Sequence, residues 1–126
     1  MIPIKLDENI RKGVEESFPS LVDIKNEELR NKVIDAWTYS LQINGYTKVE
    51  EMPGSGMPEA SALGDQSMHI NAVVYNALSI YDNLSKAYHV DLGLDRELLL
   101  ACAICHDIGK PYEYNKENRA RWFSNK

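Results

Sequence analysis

Apolar residues recur at helical spacing through most of this chain. Ile10, Val14 and Phe18 fall at four-residue steps behind Asp7, an acid suited to cap a first short helix, and Pro19 follows them. Asn26 can cap a second helix, with Leu29, Val33, Ala36, Trp37 and Leu41 on one apolar stripe and Gly45 placed just past its end. A third helix begins near Asp65 or Ser67. Its apolar positions, Ile70, Val73, Ala77, Tyr81, Leu84 and Tyr88, keep the 3–4 rhythm of one helical face. The segment VDLGLD breaks it, and Asp95 caps a fourth helix whose first turn carries Glu97. From Leu98 to Cys105 that helix is apolar on every face, which predicts a central position with neighbours all round. Gly109 is expected to end it and Pro111 to prevent its resumption. One further short helix is expected in the tail, with Trp122 and Phe123 returning to the core. No convincing pair of strands emerges, so the expected fold class is all-α.

Two segments interrupt the rhythm. Residues 45–64, GYTKVEEMPGSGMPEASALG, hold four glycines and two prolines and read as an ordered loop of about 20 residues, a length often tied to function. A mobile surface excursion is the alternative. The second interruption is CHDIGKP, residues 105–111, where a segment built for burial runs into a histidine and an aspartate.

Composition narrows the classes. With 126 residues the chain suits one small domain: N-terminal helices and the long loop over 1–64, then a core over 65–126. Hydrophobic residues at 44% and charged residues at 26% fit a globular protein rather than a disordered one. The net charge of −5 argues against electrostatic binding of nucleic acid or of an anionic membrane. The charge is uneven: Lys110 onward carries +3, which leaves −8 for the first 109 residues. The N-terminus has no signal-peptide pattern, and no apolar run approaches a membrane span. A cytoplasmic location is therefore expected. Cys102 and Cys105, three apart on a helix, read as core neighbours rather than a disulfide or a redox pair.

The chemistry concentrates at His106 and Asp107. An acid in the last turn of a buried helix faces the negative end of the helix dipole and a desolvation penalty, and a nearby cation offsets both. Imidazole and carboxylate together suit a borderline divalent metal. Residues adjacent on a helix diverge by about 100°, so convergence on one ion requires a frayed helix end and a further donor from a neighbouring helix. His69 is that donor. If the third and fourth helices pack antiparallel, the start of one lies beside the end of the other, and His69 stands level with His106 and Asp107. The simpler alternative is a local ion-pair cluster in which Lys110 neutralises Asp107.

His69, followed 37 positions later by His106-Asp107 within CHDIGKP, resembles the H…HD pattern of the HD superfamily of metal-dependent phosphohydrolases, over about residues 65–126. The resemblance implies an HD-domain-like helical bundle and assigns His69, His106 and Asp107 as metal ligands. The implied cofactor is one divalent ion (Mn, Zn, Fe, Co, Ni or Mg). The implied reaction is hydrolysis of a phosphate ester, a nucleotide or another small phosphorylated metabolite, by metal-activated water. Asp107 and Lys110 are the catalytic candidates. Lys110 and Arg121 are the candidates for holding the substrate phosphate, with Arg119 extending the basic surface. Glu113 is within reach as a general acid but is not assigned. Family members usually complete the site with a distal aspartate, and no aspartate follows Asp107 here. A fragment of a longer bundle, a water or second chain in that position, or a degenerate site would each account for this, and the fragment is favoured. His89 is expected to be a helix-end residue rather than a ligand, and homo-oligomerisation stays open. The alternative function is a non-catalytic helical module that senses a ligand or binds a partner. A redox or oxygen-using diiron site would need more ligands than this chain offers.

Overall fold

The computed structural model describes residues 4–57, 62–89 and 91–124, the side chains of 122–124 excepted. It is all-α. Helices α1 (Glu8–Ser17), α2 (Glu27–Ile43), α3 (Gln66–Tyr88), α4 (Arg96–Cys105), α5 (Lys110–Tyr114) and α6 (Lys116–Ser124) follow one another, with 3-10 turns at Pro19–Asp23 and Val49–Glu51. Among the described residues, β structure is limited to an isolated bridge between Pro53 and Asp65.

The predicted caps form. Asp7, Asn26, Asp65 and Asp95 each accept hydrogen bonds from backbone N–H groups in the first turn they precede. Helix α2 ends in a Schellman arrangement: Tyr46 N–H donates to the Leu41 carbonyl, Gly45 N–H donates to that of Gln42, and Gly45 has φ +78°. The core gathers Phe18, Ile24, Ile34, Trp37, Leu41, Val49, Met52, Ile70, Val74, Leu100 and Ile104, all essentially without solvent contact. Trp37 stands at its centre, with the Phe18 ring 5.3 Å away.

Helices α3 and α4 form an antiparallel hairpin. At one end Arg96 makes a two-pronged ion pair with Asp82, and the Tyr81 hydroxyl donates to the Leu94 carbonyl. At the other end His69 meets His106. Because Asp82 already lies beside the first residue of α4, the last six residues of α3 overshoot its partner by about 9 Å at 1.5 Å per residue. Leu84 and Tyr88, expected on the inner face, are consequently exposed; of the expected stripe Ile70 is fully buried, and Val74 is buried beside it.

Helix α4 departs from its expected burial. It packs on α2, α3 and the Pro19–Asp23 turn, while Leu98 (51% exposed) and Cys102 on its remaining side face solvent. Cys102 is thus not a core residue. Cys105 is half-buried, and its thiol is pushed up to about 11 by burial, with a smaller push from Cys102. Burial therefore keeps Cys105 predominantly as the unreactive thiol. In the folded protein a thiol reagent should label Cys102 rapidly and Cys105 far more slowly, with both equal in urea; mass spectrometry of the alkylated peptides checks this.

The expected stop at Gly109 and Pro111 is also revised. Helix α4 ends at Cys105, residues 106–109 form a turn, and Pro111 lies in the first turn of α5. A proline lacks only an N–H that has no partner at that position, so it starts this helix instead of blocking one. The short tail helix is present as α6, while the expected return of Trp122 and Phe123 to the core lies outside the described side chains. The 45–64 segment is tied down at both ends. Val49 and Met52 are buried, Gln66 N–H donates to the Met52 carbonyl, and Gly54 N–H donates to that of Gly64. A side chain on residue 54 would come within 2.9 Å of the Asp65 carbonyl oxygen, so this close approach needs glycine. No helix among the described residues is long and apolar enough to cross a membrane.

Candidate metal centre

The turn after α4 carries the chemistry. Asp107 does not lie in the last turn of the helix, as expected, but in the turn that follows it. The helix end is unusually well supplied with donors. Trp37 Nε1 donates to the Ile104 carbonyl (2.9 Å), Ile108 N–H to that of Cys105 (3.0 Å), and Ser40 Oγ to that of Ile108 (2.7 Å). Satisfied carbonyls present less negative charge to an acid next to them, which softens the penalty anticipated for Asp107. Two of these three donors come from α2, so the second helix holds the turn in place.

His106 contributes to the same arrangement. Its Nδ1 lies 2.6 Å from the Ala103 carbonyl oxygen. A carbonyl only accepts, so Nδ1 carries the proton and, in the neutral ring, Nε2 keeps a free lone pair. This outer hydrogen bond fixes both tautomer and ring orientation, as it does for histidines that ligate metals.

His69, in the first turn of α3, completes the cluster. Its Nε2 is 3.1 Å from Asp107 Oδ2 and 3.4 Å from His106 Nε2, and His106 Nε2 is 3.3 Å from the same carboxylate oxygen. Three donor atoms each about 2.0–2.2 Å from one ion, at angles between 90° and the tetrahedral value, stand about 3–3.5 Å apart. The observed separations fall within that window. Among the described residues this is the group of His, Cys, Asp and Glu side chains able to hold a metal ion. All three side chains remain partly open to solvent, which leaves room for further ligands.

The other candidates lie to one side. Lys110 Nζ donates to Glu113 Oε2 at 2.9 Å and sits 5.7 Å from the centre of the Tyr114 ring. That hydrogen bond raises its pKa above the ordinary lysine value, partial burial opposing, with Asp107 among the smaller contributions in the same direction. The Arg119 guanidinium also lies 5.7 Å from the centre of the Tyr114 ring. Arg121 is exposed on α6, and His89 is the exposed left-handed cap of α3. Beside His69 a cavity of about 410 Å³ opens, lined among others by Gly54, Ser55, Asp65 and Met68.

One residue at the site was not anticipated. Gln66, fully buried, donates from Nε2 to Asp107 Oδ2 at 2.8 Å. Its sequence signal was available: it precedes His69 by three positions and so shares its helical face. The anchoring of the turn by Trp37 and Ser40 had no such signal, because the contact spans 67 and 68 residues.

Two comparisons with known proteins relate this chain to others. Residues 68–125 match the family model of the HD domain. The chain is also similar to a dihydroneopterin 2',3'-cyclic phosphate phosphodiesterase of Methanocaldococcus jannaschii, 35% identical over 96 residues, which are 72% of this chain and 38% of that protein. The chain thus spans well under half the length of this relative. No solved structure matches the chain.

Proposed function

We propose, from the premise that this chain carries an HD domain at residues 68–125, that it hydrolyses a phosphate ester with one divalent ion held by His69, His106 and Asp107. The observation that carries the reading is the convergence of three donor atoms at 3.1–3.4 Å, one from the start of α3 and two from the turn after α4. A divalent ion there supplies Lewis acidity, polarising a phosphoryl oxygen and lowering the pKa of water from ~15.7 towards ~7. The chain's own residues do the rest. Asp107 offers Oδ2 to the ion and contributes the negative charge that a cation needs. His106 binds through Nε2 because Ala103 holds its other nitrogen. His69 brings the donor from α3 that two adjacent residues of one turn cannot supply. Lys110 holds a substrate phosphate: its ammonium has three N–H donors, and Glu113 takes one. Arg121 extends this positive side. The relative's cyclic phosphodiester supports a small phosphorylated substrate and makes phosphodiesters the first class to test.

The test is elemental analysis followed by turnover. The purified protein should hold about one divalent metal per chain. Loaded with Mn²⁺, Zn²⁺ or Fe²⁺, it should hydrolyse a ribonucleoside 2',3'-cyclic phosphate or p-nitrophenyl phosphate. Metal binding without turnover of any phosphate ester would favour the non-catalytic sensing module. Protein that takes up none of these ions would end the reading. Lys110→Ala should leave metal content unchanged and raise KM about 10-fold or more, the loss of one charge-assisted contact; an unaltered KM would remove Lys110 from the phosphate site.

A further inference from the structure

We infer that Gln66 is a positioning residue that fixes the Asp107 carboxylate for the metal, an inference that rests on the three-donor reading above. Gln66 has no solvent exposure, yet only half of its amide is used. Nε2 donates to Asp107 Oδ2 at 2.8 Å, while Oε1 is buried with no partner among the described residues. Burying an unpaired amide oxygen costs stability that an apolar side chain of the same length would not, so packing alone does not account for glutamine here. The amide's orientation is forced, because turning it over would set Oε1 against a carboxylate oxygen, acceptor against acceptor.

The oxygen that Gln66 engages is the same one that lies 3.1 and 3.3 Å from the two imidazole Nε2 atoms. A carboxylate oxygen has two lone pairs. With one directed at the amide, the other is left for the point between the imidazoles. Gln66 also rises from α3 one turn before His69, so a single helix positions one donor directly and a second through the amide. The start of that helix is registered in turn by the 45–64 segment: Gln66 N–H donates to the Met52 carbonyl at 2.9 Å, next to the Pro53–Asp65 bridge. The long loop thus acts on the centre through Gln66.

The experiment replaces glutamine by a side chain of similar length with no donor, Gln66→Met, and measures Mn²⁺ and Zn²⁺ affinity by calorimetry beside wild type and His106→Ala. The variant should keep its helical circular dichroism and, without metal, melt within about 5 °C of wild type, since an orphaned oxygen is removed together with the bond. Its metal affinity should fall about 10–100-fold, the usual effect of losing an outer hydrogen bond to a ligand. An affinity within threefold of wild type overturns the positioning role and leaves the three-donor centre standing. Failure of wild type itself to bind either ion overturns both, and marks the metal reading as the one at fault. Should Gln66→Met not fold, the Gln66 side-chain amide of ¹⁵N-labelled wild type gives the answer. Its signals should shift on saturation with diamagnetic Zn²⁺, and signals left unmoved while Zn²⁺ binds overturn the inference.

Discussion

His106→Ala should abolish the rise in melting temperature that Mn²⁺ or Zn²⁺ gives the wild-type protein and lower phosphate-ester hydrolysis by about 10³-fold or more. The size of the first effect follows from linkage. An ion at 100 times its Kd stabilises the fold by about 2.7 kcal/mol, and for a domain of this length that is a shift of roughly 8–15 °C. Removing one of three donors takes away both an inner bond and the ring whose orientation Ala103 secures. The metal-free variant should remain folded. The imidazole is partly exposed, and its loss leaves one carbonyl short of a partner, about 1 kcal/mol. Cys102→Ala is the matched control, because Cys102 is exposed on the same helix and its replacement should change stability by no more than about 0.5 kcal/mol. Thermal melts with and without metal, with elemental analysis of both variants, check the pair. Equal metal content in the two would remove His106 from the ligand set.

Trp37→Ala should be the most destabilising single change in the described core, by about 4–6 kcal/mol. Truncating a buried tryptophan costs about 3–5 kcal/mol in packing and cavity terms. The lost indole N–H adds about 1 kcal/mol by leaving the Ile104 carbonyl unpaired in the core. Against a total stability of about 5–15 kcal/mol this is a large share of the margin. Trp37→Phe separates the two contributions: it keeps an aromatic ring beside Phe18 and removes the donor, so it should cost about 1–3 kcal/mol. Because Ile104 lies in the last turn of α4, just before the turn that carries His106 and Asp107, that variant should also weaken the proposed metal binding more than its stability loss alone predicts. Urea titration gives the stability, and metal titration of the folded variant gives the rest. A Trp37→Phe protein with wild-type stability would mean that the indole hydrogen bond contributes nothing.

Most of the helices were legible because their signals are local. A capping Asp or Asn accepts from N–H groups two or three residues ahead, and a glycine with positive φ closes a helix within three residues; Asp7, Asn26, Asp95 and Gly45 needed no distant partner to act. The level meeting of His69 with the 106–107 pair was legible for a related reason. It follows from the rise per residue and one antiparallel turn. Sequence is a poor guide where burial depends on what stands opposite. Leu84, Tyr88, Leu98 and Cys102 have the composition of core residues, but α3 outruns α4 and α4 has packed partners on only some of its sides. Pro111 is ambiguous in sequence because the same lack of an N–H ends one helix and begins the next, and the backbone around Gly109 decides which.

What the chain by itself determined, then, is the helical repertoire, the HD-type pairing of a histidine with an aspartate and the helix that brings His69 beside that pair, all of them consequences of short-range geometry and residue type. Tertiary structure alone decided which carboxylate oxygen faces the two imidazoles, that a buried amide holds it, and that a tryptophan 67 residues away steadies the turn from beneath. The reason is physical. Hydrogen bonds between side chains far apart in sequence depend on how helices stack, and stacking is fixed by the whole core at once rather than by any stretch of it.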